Sequence, residues 1–106
     1  MDVKDHLENG IAIIGMSGKF PGSDSIHDFW NHLCQGKELI SSFSEEDLKT
    51  AHVPENQIQS QNYVKARGII KDIERFDADF FGMSASEAQI TDPQHRLFLE
   101  CAWNAL

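Results

Sequence analysis

No stretch of this 106-residue chain limits its fold more than the end, where Thr91-Asp92-Pro93-Gln94-His95-Arg96 runs into Leu97-Phe98-Leu99-Glu100-Cys101-Ala102-Trp103-Asn104-Ala105-Leu106. The Asp92 carboxylate is placed to accept free N–H groups of a first helical turn, and Pro93 at N1 gives up only an N–H that had no partner. Leu97, Phe98, Cys101, Ala102 and Ala105 then form one apolar stripe, while Leu99, Trp103 and Leu106 wrap to the other side. A helix of this kind needs burial on most of its faces, which is more cover than the preceding residues supply. No C-cap glycine or closing turn follows it. The expectation is a piece cut from a larger domain.

The remaining sequence fits a small soluble unit. It is 41% apolar and 25% charged, with a formal charge of −8 that disfavours non-specific binding to nucleic acid or an anionic membrane. No apolar run approaches a membrane span, and the first residues lack a signal-peptide pattern, so the expected compartment is the cytosol. Cys34 and Cys101 are far apart and show no metal-ligand spacing, so both read as buried thiols rather than as a disulfide or zinc site.

Residues 1–10 are mostly polar and charged and read as a linker, with the domain proper spanning 11–106. Ile11-Ala12-Ile13-Ile14, between Gly10 and Gly15, has the β-branched, uninterrupted apolar character of a strand buried on both faces. The loop Gly15-Met16-Ser17-Gly18-Lys19-Phe20-Pro21-Gly22 follows. Its spacing fails the dinucleotide fingerprint, because Ser17 stands where a glycine is needed, and fails the P-loop, because Ser23-Asp24 follows Gly22. It reads as a structural crossover whose glycines permit positive φ and close packing.

Ser25-Ile26-His27-Asp28 has a capping-box form and opens a helix ending near Gly36, with Ile26, Phe29, Trp30 and Leu33 as its core stripe and Cys34 part-buried beside it. His27 and His32 fall on different faces and read as surface residues, not metal ligands. Leu39–Phe43 suggests a short extended segment, and Ser44-Glu45-Glu46-Asp47 starts a short helix to about Ala51. His52–Asn62 reads as a loop or single turn. Tyr63–Ile70 is extended and suited to short hairpin-like pairing.

In Asp72–Gly82, Phe76 and Phe80 at i, i+4 would share a helical face, while Asp77 and Asp79 read as solvated acids rather than a metal or acid/base pair. Ser84-Ala85-Ser86-Glu87 opens another short helix to about Ile90. His95 falls on the first turn of the last helix as a neutral hydrogen-bonding residue. No nucleophile elbow or nucleophile–base pair emerges, so no catalytic, cofactor-binding or metal-binding residue is assigned.

Taken in order, these blocks resemble the beginning of a β-ketoacyl synthase (ketosynthase) domain of a modular type I polyketide synthase. The resemblance rests on Ile11 to Gly22, on Phe29-Trp30 with Leu33 and Gly36, on Phe76-Asp77-Ala78-Asp79-Phe80-Phe81-Gly82-Met83-Ser84, on Glu87-Ala88, and on Asp92-Pro93-Gln94-His95-Arg96-Leu97-Phe98-Leu99-Glu100. Phe43–Leu48 and Cys101-Ala102-Trp103 look most like synthases of mixed polyketide and non-ribosomal peptide assembly lines. Ala85-Ser86 departs from the family's frequent proline and basic residue, which weakens any inherited partner contact there.

The resemblance implies an α/β chain holding part of the thiolase-like α-β-α-β-α fold, its first strand with surrounding helices and loops. It implies a parent acyltransferase of polyketide or fatty-acyl biosynthesis that performs decarboxylative Claisen condensation. That parent acts on phosphopantetheine-linked acyl groups of acyl carrier protein, works with other synthase domains, and is a homodimer. The family's nucleophilic cysteine and two histidines match no residue here, so the piece is expected to need no cofactor and to be inactive by itself. A rival expectation is a stand-alone interaction or scaffolding module built on ketosynthase-like surfaces. A weaker one is a nucleotide-binding domain using the Gly15–Gly22 loop.

Overall fold

Local signals decide most of the secondary structure in the computed structural model, which describes residues 9–106. Five helices and one pair of short strands occur among them: α1 (Ile26–Cys34), β1 (Ser41–Ser42), α2 (Glu45–Thr50), α3 (Glu55–Ile58), β2 (Ala66–Arg67), α4 (Ala85–Ile90) and α5 (Pro93–Ala105). The expected linker lies largely outside the described residues; its last two, Asn9 and Gly10, are exposed.

Four helix starts follow the caps expected of them. Ser25 accepts from the Asp28 N–H at 3.0 Å, Ser44 from Asp47 at 3.1 Å and Ser84 from Glu87 at 3.2 Å, while Asp92 accepts from Gln94 at 2.8 Å. At α2 the box is complete, because the Asp47 carboxylate also accepts the Ser44 N–H at 2.8 Å and hydroxyl at 2.6 Å. Those bonds favour the ionised acid and hold its pKa below the usual aspartate value.

Two helices end in the same Schellman geometry. After α1, Gly36 takes φ 62°, with Gly36 N–H donating to the Leu33 carbonyl and Lys37 N–H to that of His32. After α2 the same pair of bonds runs from His52 to Lys49 and from Val53 to Leu48, but the left-handed residue is His52 at φ 59°. A side chain there is strained where glycine is not.

The expected extended segments pair with each other across the intervening helices. β1 and β2 are antiparallel, with Ser41 opposite Arg67 and Ser42 opposite Ala66. Phe43 N–H continues the ladder to the Lys65 carbonyl at 2.9 Å, and Lys65 closes the loop with an ion pair to Glu45 at 2.6 Å. Leu48 of α2 and Ile58 of α3, which pack their helices on one another, are two of the three buried apolar residues among those described. The amide-rich stretch expected to be a loop or one turn is thus one turn, α3, fixed by burial of Ile58.

Two expectations are corrected. Ile11–Ile14 joins no strand ladder among the described residues; Ile11 and Ile14 are 97% and 96% exposed. A strand buried on both faces exists only between neighbours, and none is present here. The final helix forms and, as expected of a helix with more apolar faces than the chain can cover, leaves Phe98 72% and Trp103 60% exposed. Finally, Phe76 and Phe80 do not share a helical face, because residues 71–82 are turns and loop. Phe76 stacks on Phe81 at 5.0 Å instead, and Phe80 meets Trp103 edge-on at 4.8 Å. The surface of 8997 Å² far exceeds the roughly 6,000 Å² of a compact monomer of this mass.

Candidate functional site

The glycine-rich loop is organised by its own turn and by the last helix. Phe20 and Ser23 exchange both backbone hydrogen bonds, at 3.0 and 3.2 Å, around Pro21 and a Gly22 at φ 66°. Proline followed by a positive-φ glycine is the type II arrangement. At Gly15 a Cβ would stand 1.9 Å from the Ala105 carbonyl oxygen, so only glycine lets the loop cross the end of α5. Lys19 also forms an ion pair with Glu100 of that helix. The first and last sequence blocks therefore pack on one another, which explains the glycines without a phosphate ligand.

Ser23 is 2% exposed, and its hydroxyl meets His32 Nδ1 at 2.8 Å. His32 is half-buried, which corrects the expectation of a surface histidine; His27 is exposed as expected. The signal for this bond was weak, since neither residue belongs to a recognisable motif. It ties the Pro21-Gly22 turn to α1, whose Phe29 stacks on Phe20 at 4.0 Å. A serine this buried, with its own N–H already donated to Phe20, has neither access nor a free oxyanion donor for nucleophilic work.

Neither cysteine is buried: Cys34 is exposed and Cys101 intermediate. His95 lies exposed on the first turn of α5. Arg96, one residue on, is the organiser of that end. Its guanidinium donates to the Ala88 carbonyl at 3.1 Å and the Ile73 carbonyl at 3.2 Å, clamping α4 and the phenylalanine loop onto α5. Asp77 caps its own turn by accepting from the Phe80 N–H at 3.1 Å. Among the described residues no group of three or more His, Cys, Asp or Glu is arranged to hold a metal ion. No helix among them is long and apolar enough to cross a membrane.

Among the described residues, cavities open on the surface at two places of note. One of about 460 Å³ lies beside the turn, between Lys19, Ser23, Asp24, Lys71 and Asp72, and is mostly polar. The other, about 420 Å³, is a cleft between α2 and the β1–β2 ribbon with Phe43, Leu48, Val53 and Val64 on its walls. Neither is marked in the sequence, because each joins segments distant in the chain.

Residues 8–106 match the family model described as the beta-ketoacyl synthase N-terminal domain. Over 99 residues the chain is 46% identical to a component of the phenolphthiocerol/phthiocerol polyketide synthase of Mycobacterium tuberculosis, covering 93% of this chain and 7% of that protein. It is 42% identical to the polyketide synthase PksN of Bacillus subtilis, covering 98% of this chain and 2% of PksN. Its fold superimposes on ketosynthase twelve of the bacillaene polyketide synthase of Bacillus amyloliquefaciens with a TM-score of 0.76 and 44% identity, over 89% of this chain and 17% of that structure. The chain thus spans a small part of the length of the relatives it matches.

Proposed function

This chain belongs to the beta-ketoacyl synthase family, and from that membership we propose that it is the N-terminal part of a polyketide synthase ketosynthase domain. Its fold is accordingly a partial α/β, thiolase-like one. The reaction of the parent is carbon–carbon bond formation. An acyl group passes from the phosphopantetheine thioester of a carrier protein to a cysteine thiolate; a malonyl-type extender then loses CO₂, and its enolate attacks the acyl-cysteine carbonyl, expelling the thiolate. The nucleophile and the two assisting histidines stand outside residues 9–106, and this part supplies the frame on which they are held. Its partners are the rest of the domain, the carrier protein and neighbouring synthase domains, in a cytosolic homodimer.

The observation that carries this reading is where the uncovered surface falls. Ile11–Ile14 and α5, two of the blocks that carry the family resemblance, expose Ile11, Ile13, Ile14, Phe98 and Trp103, and they are anchored to each other by Gly15 and the Lys19–Glu100 pair. A preassembled pair of elements with bare faces suits insertion into a larger sheet and helix layer. The test is a chimera in which these residues replace the matching part of the bacillaene ketosynthase. Retained acyl loading and condensation in the chimera, with no acyl transfer by the isolated chain, is the expected result. Turnover by the isolated chain that is lost on substituting Cys34 or Cys101 would overturn it.

A further inference from the structure

We propose that the cleft between α2 and the β1–β2 ribbon binds a small apolar carboxylic acid, its carboxylate on the Arg67 guanidinium and its ring or branched chain against Phe43, Leu48 and Val64. The volume, about 420 Å³, sits at the small end of ligand pockets and suits one or two rings. The walls are already fixed by the strand register, by the Leu48–Val53 helix end and by the buried Leu48 beneath them.

Charge decides whether such a cleft stays open in a larger domain. Residues 11–18 carry no charged side chain, whereas Asp47, Lys65 and Arg67 line this cleft and Glu45 pairs with Lys65 beside it. Burying that rim under further protein would cost far more than burying the isoleucines at the start of the chain, so the cleft belongs to the solvent side.

Charge also selects the ligand. Lys65 is neutralised by Glu45 at 2.6 Å, and the Asp47 carboxylate, which stays ionised, is held at the start of α2 by its two bonds from Ser44. Arg67 has no ion-pair partner among the described residues; its guanidinium rests over the Phe43 ring, 5.5 Å from the centroid, which holds it in place. The Tyr63 hydroxyl on the same wall likewise makes no hydrogen bond among the described residues. One oriented guanidinium that makes no ion pair among the described residues, with a phenol beside an apolar wall, is a recognition set for a carboxylate attached to a hydrophobic body.

The site does not depend on the condensation reading, and the two fail separately. The experiment is an amide NMR titration of the 106-residue chain with 2-naphthoate and with its neutral counterpart 2-naphthalenemethanol. Saturable shifts at Phe43, Leu48, Val64 and Arg67, with the acid bound about tenfold more tightly than the alcohol, are expected. Arg67→Gln removes that preference and Arg67→Lys keeps part of it. Equal affinity for acid and alcohol in the unsubstituted chain, or shifts confined to Ile11–Ile14 and Trp103, would overturn the proposal without reference to any variant.

Discussion

Residues 41–67 and the two ends of the chain are built on opposite plans. In the middle, β1, α2, α3 and β2 lie within 27 residues, and the α2 capping box, the ladder and the Lys65–Glu45 pair are all made within that span. At the ends, Gly15 and Lys19 reach across the chain to Ala105 and Glu100, yet the apolar side chains around them face water. Short-range hydrogen bonding can complete a unit that has little core. Long-range contact between two buried-type elements cannot, because each has further faces to cover.

The strongest way to break the contrast is to empty the middle. Ile58 is 1% exposed, and Ile58→Ala should cost about 2–5 kcal/mol, seen as loss of exchange protection across α2, α3 and the ribbon while α5 is unchanged. Retained protection in the middle would show that Leu48 and the caps suffice without it. Next, Gly15→Ala pushes a methyl against backbone and should cost about 1–3 kcal/mol, read as weaker protection near the end of α5 with the ribbon untouched.

Two changes at α2 sharpen the comparison from within the middle. Ser44→Ala removes the hydroxyl of the box and should weaken the helix by about 1 kcal/mol in a thermal or denaturant scan. His52→Gly should stabilise it by up to about 1 kcal/mol, because the left-handed position then carries no Cβ. A destabilised His52→Gly chain would mean that the histidine side chain contributes more than its backbone strain.

The smallest effect is one of pH. Glu45 is held below its usual value by the Lys65 hydrogen bond and charge, and Asp47 by the two Ser44 bonds. Where the folded carboxylate titrates lower than the unfolded one, the unfolded chain binds more protons, so the contribution is present above the unfolded pKa, about 4, and is lost as pH falls through the lower folded values. Both groups are exposed, so the change is slight. It should appear in α2 amide shifts below about pH 4.

Legibility in the sequence follows the same division. The Ser25, Ser44, Ser84 and Asp92 starts were readable because a cap and its target lie two or three residues apart. The extended character of 39–43 and 63–70 was readable as well, and so was the family, whose motif blocks are contiguous. Burial was not. Cys34, Ile11–Ile14 and Trp30 have the composition of core residues, and composition cannot say whether the covering element is present. The Phe76–Phe81 stack, the Ser23–His32 bond and the Arg67-lined cleft depend on how turns bring residues together, which no periodicity encodes.

Site-resolved amide hydrogen exchange on the isolated 106-residue chain tests the central claim most directly. The account predicts slower exchange in α2 and the β1–β2 ribbon than in 11–15 and the Phe98–Trp103 turns of α5, because the apolar faces at the ends are uncovered. A final helix protected as well as or better than the middle, in a monomer, would contradict it and identify the chain as a complete module.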